Sequence, residues 1–387
     1  MNNIIVMYVV VFLIAFLMTS YMVPRILVVS LRKRLIDKPD KRKIHTVISS
    51  RLGGVSFYPS ILISICATVS IGAMIDRQLM SGSVSVQFLI ASAACLIMYL
   101  VGLFDDIAGI RYRKKFVFQI LASLMIVSSG LWINDLHGFL GIGQLPWWIG
   151  APFTMFLIVY IMNAINLIDG IDGLCSGLSI VAMGVFATCF IILGDVSQAL
   201  MAIATAGTLL AFFRYNVRGF SHRSLKIFMG DAGSLAIGAL LSICAIKLTQ
   251  HRDLPLGESS SLLLAYSVLI IPCFDVLRVM LHRFRIKKNM FLPDKSHIHH
   301  KLLAVGFNPR QSLLLILAMS VVFIALNIGM NYFDVPIEMT VLADIVIYTL
   351  VNMFITKRIP EDAEFKIAMT ERHFATISKR RKRFIFF

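Results

Sequence analysis

The sequence predicts an all-α, polytopic integral membrane protein of about eleven transmembrane helices. Three observations predict it. Hydrophobic residues make up 58% of the 387-residue chain and charged residues only 15%, whereas a soluble domain carries about 25% charged residues. Mean hydropathy is +0.82. Apolar runs follow one another along almost the whole length, each close to the roughly 17–25 residues that cross a bilayer.

In chain order the runs lie near 4–29, 54–75, 84–104, 116–133, 148–167, 174–193, 198–213, 234–248, 262–282, 312–331 and 338–356. The first has no basic stretch before it and no small-residue cleavage site, so it reads as a retained span. The second opens at Gly53-Gly54 and the third closes at Asp105-Asp106. The fourth is entered through Arg113, Lys114 and Lys115. Leu145-Pro146-Trp147-Trp148 supplies an interfacial aromatic anchor before the fifth. The sixth follows two Asp-Gly pairs; the seventh and eighth are the shortest. The ninth carries Asp275 and Arg278 at i, i+3, which reads as an intrahelical ion pair. A basic loop with three His precedes the tenth, and a basic tail follows the eleventh.

Lys and Arg set the orientation. With the N-terminus outside, Arg32–Arg51, Arg111–Lys115, Arg214–Lys226, Arg283–Arg310 and the tail after Thr356 are cytoplasmic, and they hold 32 of the 37 basic residues. The outside loops hold Arg77 and Arg252. This puts the C-terminus inside and makes the number of spans odd. The formal charge of +16 is therefore the positive-inside bias plus attraction to anionic lipids and substrate phosphates. Nucleic acid is excluded, because no soluble domain is large enough to carry it. The six Cys lie in or beside apolar runs with no C-x-x-C spacing, and read as small buried hydrophobes.

The chemistry-bearing residues gather at the cytoplasmic ends of spans. Asn163–Gly173 reads N-A-I-N-L-I-D-G-I-D-G. Polar groups here are costly unless they face protein, water or ligand, and the Asp-Gly pairs give the chain turn chemistry to break its helix. Asn166, Asp169 and Asp172 are oxygen donors of the kind that suits Mg²⁺ or Mn²⁺. Asp105 and Asp106 repel one another, so a nearby cation or metal would favour their joint ionisation; the plainer reading is a loop start paired with Arg111 or Arg113. Phe228–Ser234 reads F-M-G-D-A-G-S, where Gly allows close approach to a ligand, or where Asp231 or Ser234 caps a helix. His297, His299 and His300 sit among basic residues without a neighbouring Cys, a setting for phosphate oxygens rather than zinc. Lys115 suits a lipid phosphate or a bilayer anchor.

These residues together resemble the polyprenyl-phosphate N-acetylhexosamine-1-phosphate transferases, relatives of phospho-N-acetylmuramoyl-pentapeptide transferase. The resemblance runs from about His45 to about Gly306 and rests on Gly53-Gly54, Asp105-Asp106, N-x-x-N-x-x-D-G-x-D-G, F-x-G-D-x-G-S and H-x-H-H. The pentapeptide transferases carry three consecutive His; His-Ile-His-His resembles the N-acetylhexosamine branch. One departure is His45–Arg51, which lacks the Pro residues usual before the Gly-Gly, and this weakens a donor-binding role for that loop. The resemblance implies that residues 1–356 form a transmembrane catalytic domain with cytoplasmic active-site loops and 357–387 a basic cytoplasmic tail. It implies transfer of a sugar 1-phosphate from a UDP-N-acetylhexosamine, chiefly UDP-GlcNAc, to undecaprenyl phosphate, with release of UMP. The setting would be a bacterial inner membrane and a surface glycan such as O-antigen.

By the same resemblance Asp231 is the principal Mg²⁺ ligand, with Asn166 or Asp169 near the diphosphate. Asp172 and Phe228 lie near the uracil, Phe228 by stacking. Asp105 is the base or acceptor-positioning residue and Asp106 its partner, so Asp105, Asp106 and Asp169 form the catalytic set. Lys115, His297, His299 and His300 hold phosphates. The lipid phosphate is already largely ionised, so direct attack on the donor is favoured, and an aspartyl-phosphate on Asp105 or Asp106 stays open. A homodimer is compatible with the sequence. The competing readings are a secondary transporter of an anionic solute, whose carboxylates should sit near the bilayer midplane, the pentapeptide transferase itself, and an inactive lipid-binding scaffold.

Overall fold

The computed structural model describes residues 2–33, 35, 49–75, 85–219, 226–252, 254, 255, 257, 259–287 and 296–360. His45 and the tail beyond Pro360 lie outside the described residues.

Ten of the eleven predicted runs each overlap a single helix, and the ninth is divided between two. The first four are α1 (Asn2–Arg32), α2 (Phe57–Ile75), α3 (Val86–Ala108) and α4 (Tyr112–Ser128). Next come α5 (Trp147–Ile168), α6 (Leu174–Ile192), α7 (Val196–Arg218) and α8 (Gly230–Thr249). The chain closes with α9 (Ser260–Ser267), α10 (Ile270–Arg285), α11 (Ile298–Val305), α12 (Pro309–Tyr332) and α13 (Ile337–Lys357). Among the described residues nine helices are long and apolar enough to cross a membrane, and the bent pair α9–α10 makes a tenth. α4, with 17 residues, is at the lower limit for a span.

Local chemistry sets the ends. Ser85 caps α3 by accepting the N–H of Phe88 at 3.1 Å, and Asn308 and Gln311 form a reciprocal capping box at α12. α7 runs five residues past the predicted 213, because its polar residues extend the helix until Gly219, at φ +67°, stops it.

The ninth run differs from expectation. A single span over 262–282 is replaced by α9 and α10, bent by 66°. Pro272 stands in the first turn of α10, where its missing N–H is harmless. The break is braced from outside: Asn327 of α12 donates to Ser267 Oγ at 2.8 Å and to Asp344 of α13 at 2.9 Å. Such side chains re-satisfy polar groups where a membrane helix is interrupted.

α8 is the axis of the bundle. Burial reaches 94% over its spanning stretch, against 28% in α1 and in α13. It packs on α3, α5 and α6. A Cβ on Gly238 would stand 2.8 Å from Met162 Cα, so α5 and α8 approach through small residues, as membrane helices do. A parallel two-residue ladder pairs β1 (Ser49–Ser50) with β2 (Lys226–Ile227). It ties the segment before α2 to the segment before α8.

Candidate active site

The N-terminus of α8 is the organising point. Four glycines let other backbones close around it. A Cβ on Gly54 would stand 2.2 Å from Gly233 N, one on Gly102 would stand 2.3 Å from Asp231 O, and one on Gly53 would stand 2.5 Å from Phe228 O. Gly230 adopts φ +69°, and its missing Cβ would meet Arg51 O and the Asp106 carboxylate. The sequence suggested close backbone approach at Gly230 and Gly233; in the structure Gly230 lies against Arg51 O and the Asp106 carboxylate and Gly233 against Gly54, which brings α3 and the 3-10 turn Leu52–Ser56 against α8.

Asp106 then caps α8 from another helix. Its carboxylate accepts the N–H groups of Asp231 and Ala232, both at 2.9 Å. A carboxylate there satisfies orphan donors and faces the positive end of the helix dipole. The expected cap from Asp231 or Ser234 is therefore replaced by Asp106. Ser234 instead donates to Gly230 O at 3.0 Å and accepts from Asn166 at 2.8 Å.

With its backbone fixed, Asp231 presents both oxygens. Oδ1 accepts from Asn166 Nδ2 at 2.9 Å, and Oδ2 meets Lys115 Nζ at 2.6 Å. The same ammonium reaches Asp105 Oδ2 at 3.0 Å. Asp105, Lys115, Asn166 and Asp231 thus come from α3, α4, α5 and α8 and meet as one network. Asp105 is itself oriented by the N–H of Ile110 at 2.5 Å.

α5 ends at Ile168, and the predicted helix break follows. Asp169 is the first residue beyond it. Burial, then the negative charges of Asp231, Asp172 and Asp106, push its carboxyl up to about 7. Asp172 forms an ion pair with Lys226. Gly173, at φ +85°, starts α6, and its N–H is held by Asn216 Oδ1 at 2.5 Å. Asn216 also donates to Ile227 O at 2.8 Å, fixing the turn to β2. Asn163 serves packing: it donates to Gln119 of α4 at 2.7 Å.

The His segment is anchored by a buried carboxylate. Asp275 accepts from His297 Nδ1 at 2.7 Å, Ile298 N at 3.0 Å, Arg278 at 3.0 Å and Tyr348 at 3.2 Å. The expected Asp275–Arg278 pair is present, as one part of a larger junction. His299 lies against the α5 break: a Cβ on Gly170 would stand 2.0 Å from its Nε2. Both ring nitrogens of His299 are buried without a partner among the described residues. Burial first, then the neighbouring His300 and His297, hold its ring down to about 3, so it stays neutral. The His300 ring lies 4.1 Å from that of His299, tilted by 47°.

The structure therefore joins Asp105, Asp106, Lys115, Asn166 and Asp231 directly. Asp169 and His299 adjoin them through the α5 break. Asp172 faces Lys226. Phe228 is held through its backbone, donating to Ser50 O at 2.7 Å. His297 spends its Nδ1 on Asp275. Sequence reasoning missed the wider role of Asp275, and Asn216 and Lys226 entirely. An ionisable residue inside a predicted span, as Asp275 is, was the available signal; Asn216 and Lys226 gave none.

The donor chemistry fits a hard divalent cation. Among the described residues no three His, Cys, Asp or Glu converge as a complete ligand set. Mg²⁺ does not need one, since it keeps waters and substrate phosphates and uses one or two carboxylates. Asp231 and Asp105 flank a position now filled by a positive charge, the Lys115 ammonium, with Asn166 beside it.

The chain is similar to a family of known proteins. The profile of glycosyl transferase family 4 matches residues 88–249, which include Asp105, Lys115, Asn166 and Asp231. The undecaprenyl-phosphate alpha-N-acetylglucosaminyl 1-phosphate transferase of Yersinia pestis is 31% identical over 294 residues, 74% of each chain. The enzyme of that name from Escherichia coli O157:H7 is 29% identical over 86% of each chain. The decaprenyl-phosphate N-acetylglucosaminephosphotransferase of Mycobacterium leprae is 31% identical over 74% of each chain.

Proposed function

The chain belongs to glycosyl transferase family 4, and from that premise we propose that it transfers N-acetylglucosamine 1-phosphate from UDP-N-acetylglucosamine to undecaprenyl phosphate, releasing UMP. The reaction would be the first membrane step of a bacterial surface glycan, carried out at the cytoplasmic face of the inner membrane. The relatives' names support the acceptor class and the sugar phosphate. The concentration of Lys and Arg at the end of the bundle that carries the site supports the cytoplasmic face.

One observation carries the reading: a single ammonium, Lys115, bridges Asp105 and Asp231, while Asn166 holds the other oxygen of Asp231. Two anionic phosphates must meet in this reaction, and a site that sets an ammonium between two carboxylates can place positive charge beside them. Asp231, with Asp105 and Asn166, would hold Mg²⁺, which supplies charge neutralisation at the phosphates. Asp106 keeps Asp231 in place through the α8 backbone. Lys115 can turn from the carboxylates to an incoming phosphate oxygen without losing its charge. Asp105 lies beside that ammonium and orients the acceptor phosphate, which attacks directly because it is already ionised. His299, neutral and packed on the α5 break, shapes the wall next to Asp169.

The test uses full-length protein in detergent with undecaprenyl phosphate, Mg²⁺ and carbon-14-labelled UDP-N-acetylglucosamine. Label entering the organic phase with matching UMP, abolished by a chelator, is the expected result. Silence with this donor and with a panel of UDP-sugars would refute the assignment.

A further inference from the structure

A second site lies away from the carboxylates. α10 and α13 line a groove of about 850 Å³, with Lys301 of α11 in it beside Asn352 and Thr356. The α10 lining falls at Phe274, Leu277, Arg278, Leu281, His282 and Arg285, one helical face. Both helices run toward the same end of the bundle, and polarity changes along both in the same direction. Leu277, Leu281, Ile345 and Met353 are apolar and exposed in the middle of the groove. Arg285, Lys301 and Lys357 stand at its far end, with His282 beside them, and among the described residues no Asp or Glu lines it. Two buried donor atoms of the lining, Arg278 Nε and Asn352 Nδ2, lack an acceptor among the described residues.

We propose that this groove binds an anionic phospholipid of the surrounding bilayer, its phosphate at Arg285 and Lys357 and an acyl chain along Leu277 and Ile345. The charge is complementary, and basic clusters at the inner end of spans recognise such headgroups. Beyond Pro360 the sequence carries seven Lys and Arg against four Asp and Glu, a net charge of the groove's own sign. The acceptor lipid is not the occupant. Its phosphate has to reach Asp231, and none of Asp105, Lys115, Asn166, Asp169 or Asp231 lines the groove. The groove nevertheless touches the site's support: Arg278 and Tyr348 line it and both hold Asp275, which anchors His297. An occupied groove therefore firms the His segment.

Native mass spectrometry of the full-length protein released from nanodiscs tests this. The discs contain phosphatidylcholine with a minor fraction of phosphatidylglycerol. The wild type should carry phosphatidylglycerol out in preference to phosphatidylcholine. R285Q/K357Q should retain it roughly thirtyfold less, the loss expected for two basic side chains at an anionic lipid surface, and R285K/K357R should retain it normally. A photoreactive phosphatidylglycerol should cross-link to peptides of α10 and α13. Equal retention of the two lipids overturns the proposal, as does undiminished binding in R285Q/K357Q or cross-links confined to other helices. Displacement of phosphatidylglycerol by undecaprenyl phosphate also overturns it, since the groove would then belong to the acceptor.

Discussion

The Asp106 carboxylate holds the backbone of Asp231, accepting its N–H at 2.9 Å and that of Ala232 at the same distance. The two adjacent acids of α3 therefore do different things. Asp105 faces Lys115, and Asp106 secures the helix that carries Asp231. Asp106→Ala should strip two N–H groups of their acceptor and lower stability by about 1–3 kcal/mol. Asp106→Asn, which keeps one acceptor oxygen, should fall between. Thermal unfolding in detergent gives the order, and the Mg²⁺ concentration needed for half-maximal turnover should rise in the same order. A variant with unchanged melting and unchanged metal dependence would show that Asp106 does not position Asp231.

Asp231→Ala and Asp105→Asn should each reduce turnover by more than about 100-fold, the scale of losing a key electrostatic group. Steady-state transfer of labelled sugar phosphate measures this. Substantial activity in either variant would remove that residue from the reaction.

The glycines around α8 make a sharper structural test. Gly54→Ala places a methyl 2.2 Å from the Gly233 backbone, which cannot yield as a flexible side chain could. Gly184 of α6 is also helical, but a Cβ there meets nothing within 4 Å. Gly54→Ala should fail to give monodisperse protein or lose most activity. Gly184→Ala should match the wild type or gain slightly from helix propensity. Size-exclusion profiles and melting curves separate the two.

His299 gives a dependence on pH. Its folded value of about 3 lies below the ordinary 6.5 because the ring is buried. Between these values the unfolded chain binds a proton that the fold does not, so acidification favours unfolding. The contribution is fully present above pH 6.5 and is lost as pH falls toward 3. The wild-type melting temperature should drop between about pH 7 and pH 5 more steeply than that of His299→Leu. Parallel curves would show that His299 does not titrate in this way.

The spans were legible because bilayer thickness imposes a similar length on all of them, and ten of the eleven apolar runs each overlap one helix. The residues of the site were legible because a carboxylate at the end of a span needs a partner. Their partners were not. That Asp106 would cap α8, or that Asp275 would gather His297 and Tyr348, depends on contacts across 125 and 73 residues, and no local pattern encodes them. The bend between α9 and α10 escaped for a related reason. Residues 262–282 have the length and hydropathy of one helix, and the braces at Asn327 and Asp344 come from spans made later.

The Asp275 junction also makes α10 depend on segments that follow it in the chain. Its carboxylate is satisfied by His297, Ile298 and Tyr348, and all three follow α10 in the chain. When α10 first meets the bilayer during translation, it carries Asp275, Arg278, Arg283 and Arg285 with only Arg278 at hand to neutralise the acid. Such a segment prefers the membrane surface to the interior. The Tyr348 contact is available only once α13 has been made. A chain truncated before Tyr348 should therefore carry its defect at α10, where Asp275 lies 73 residues upstream of Tyr348, and not only at its own end.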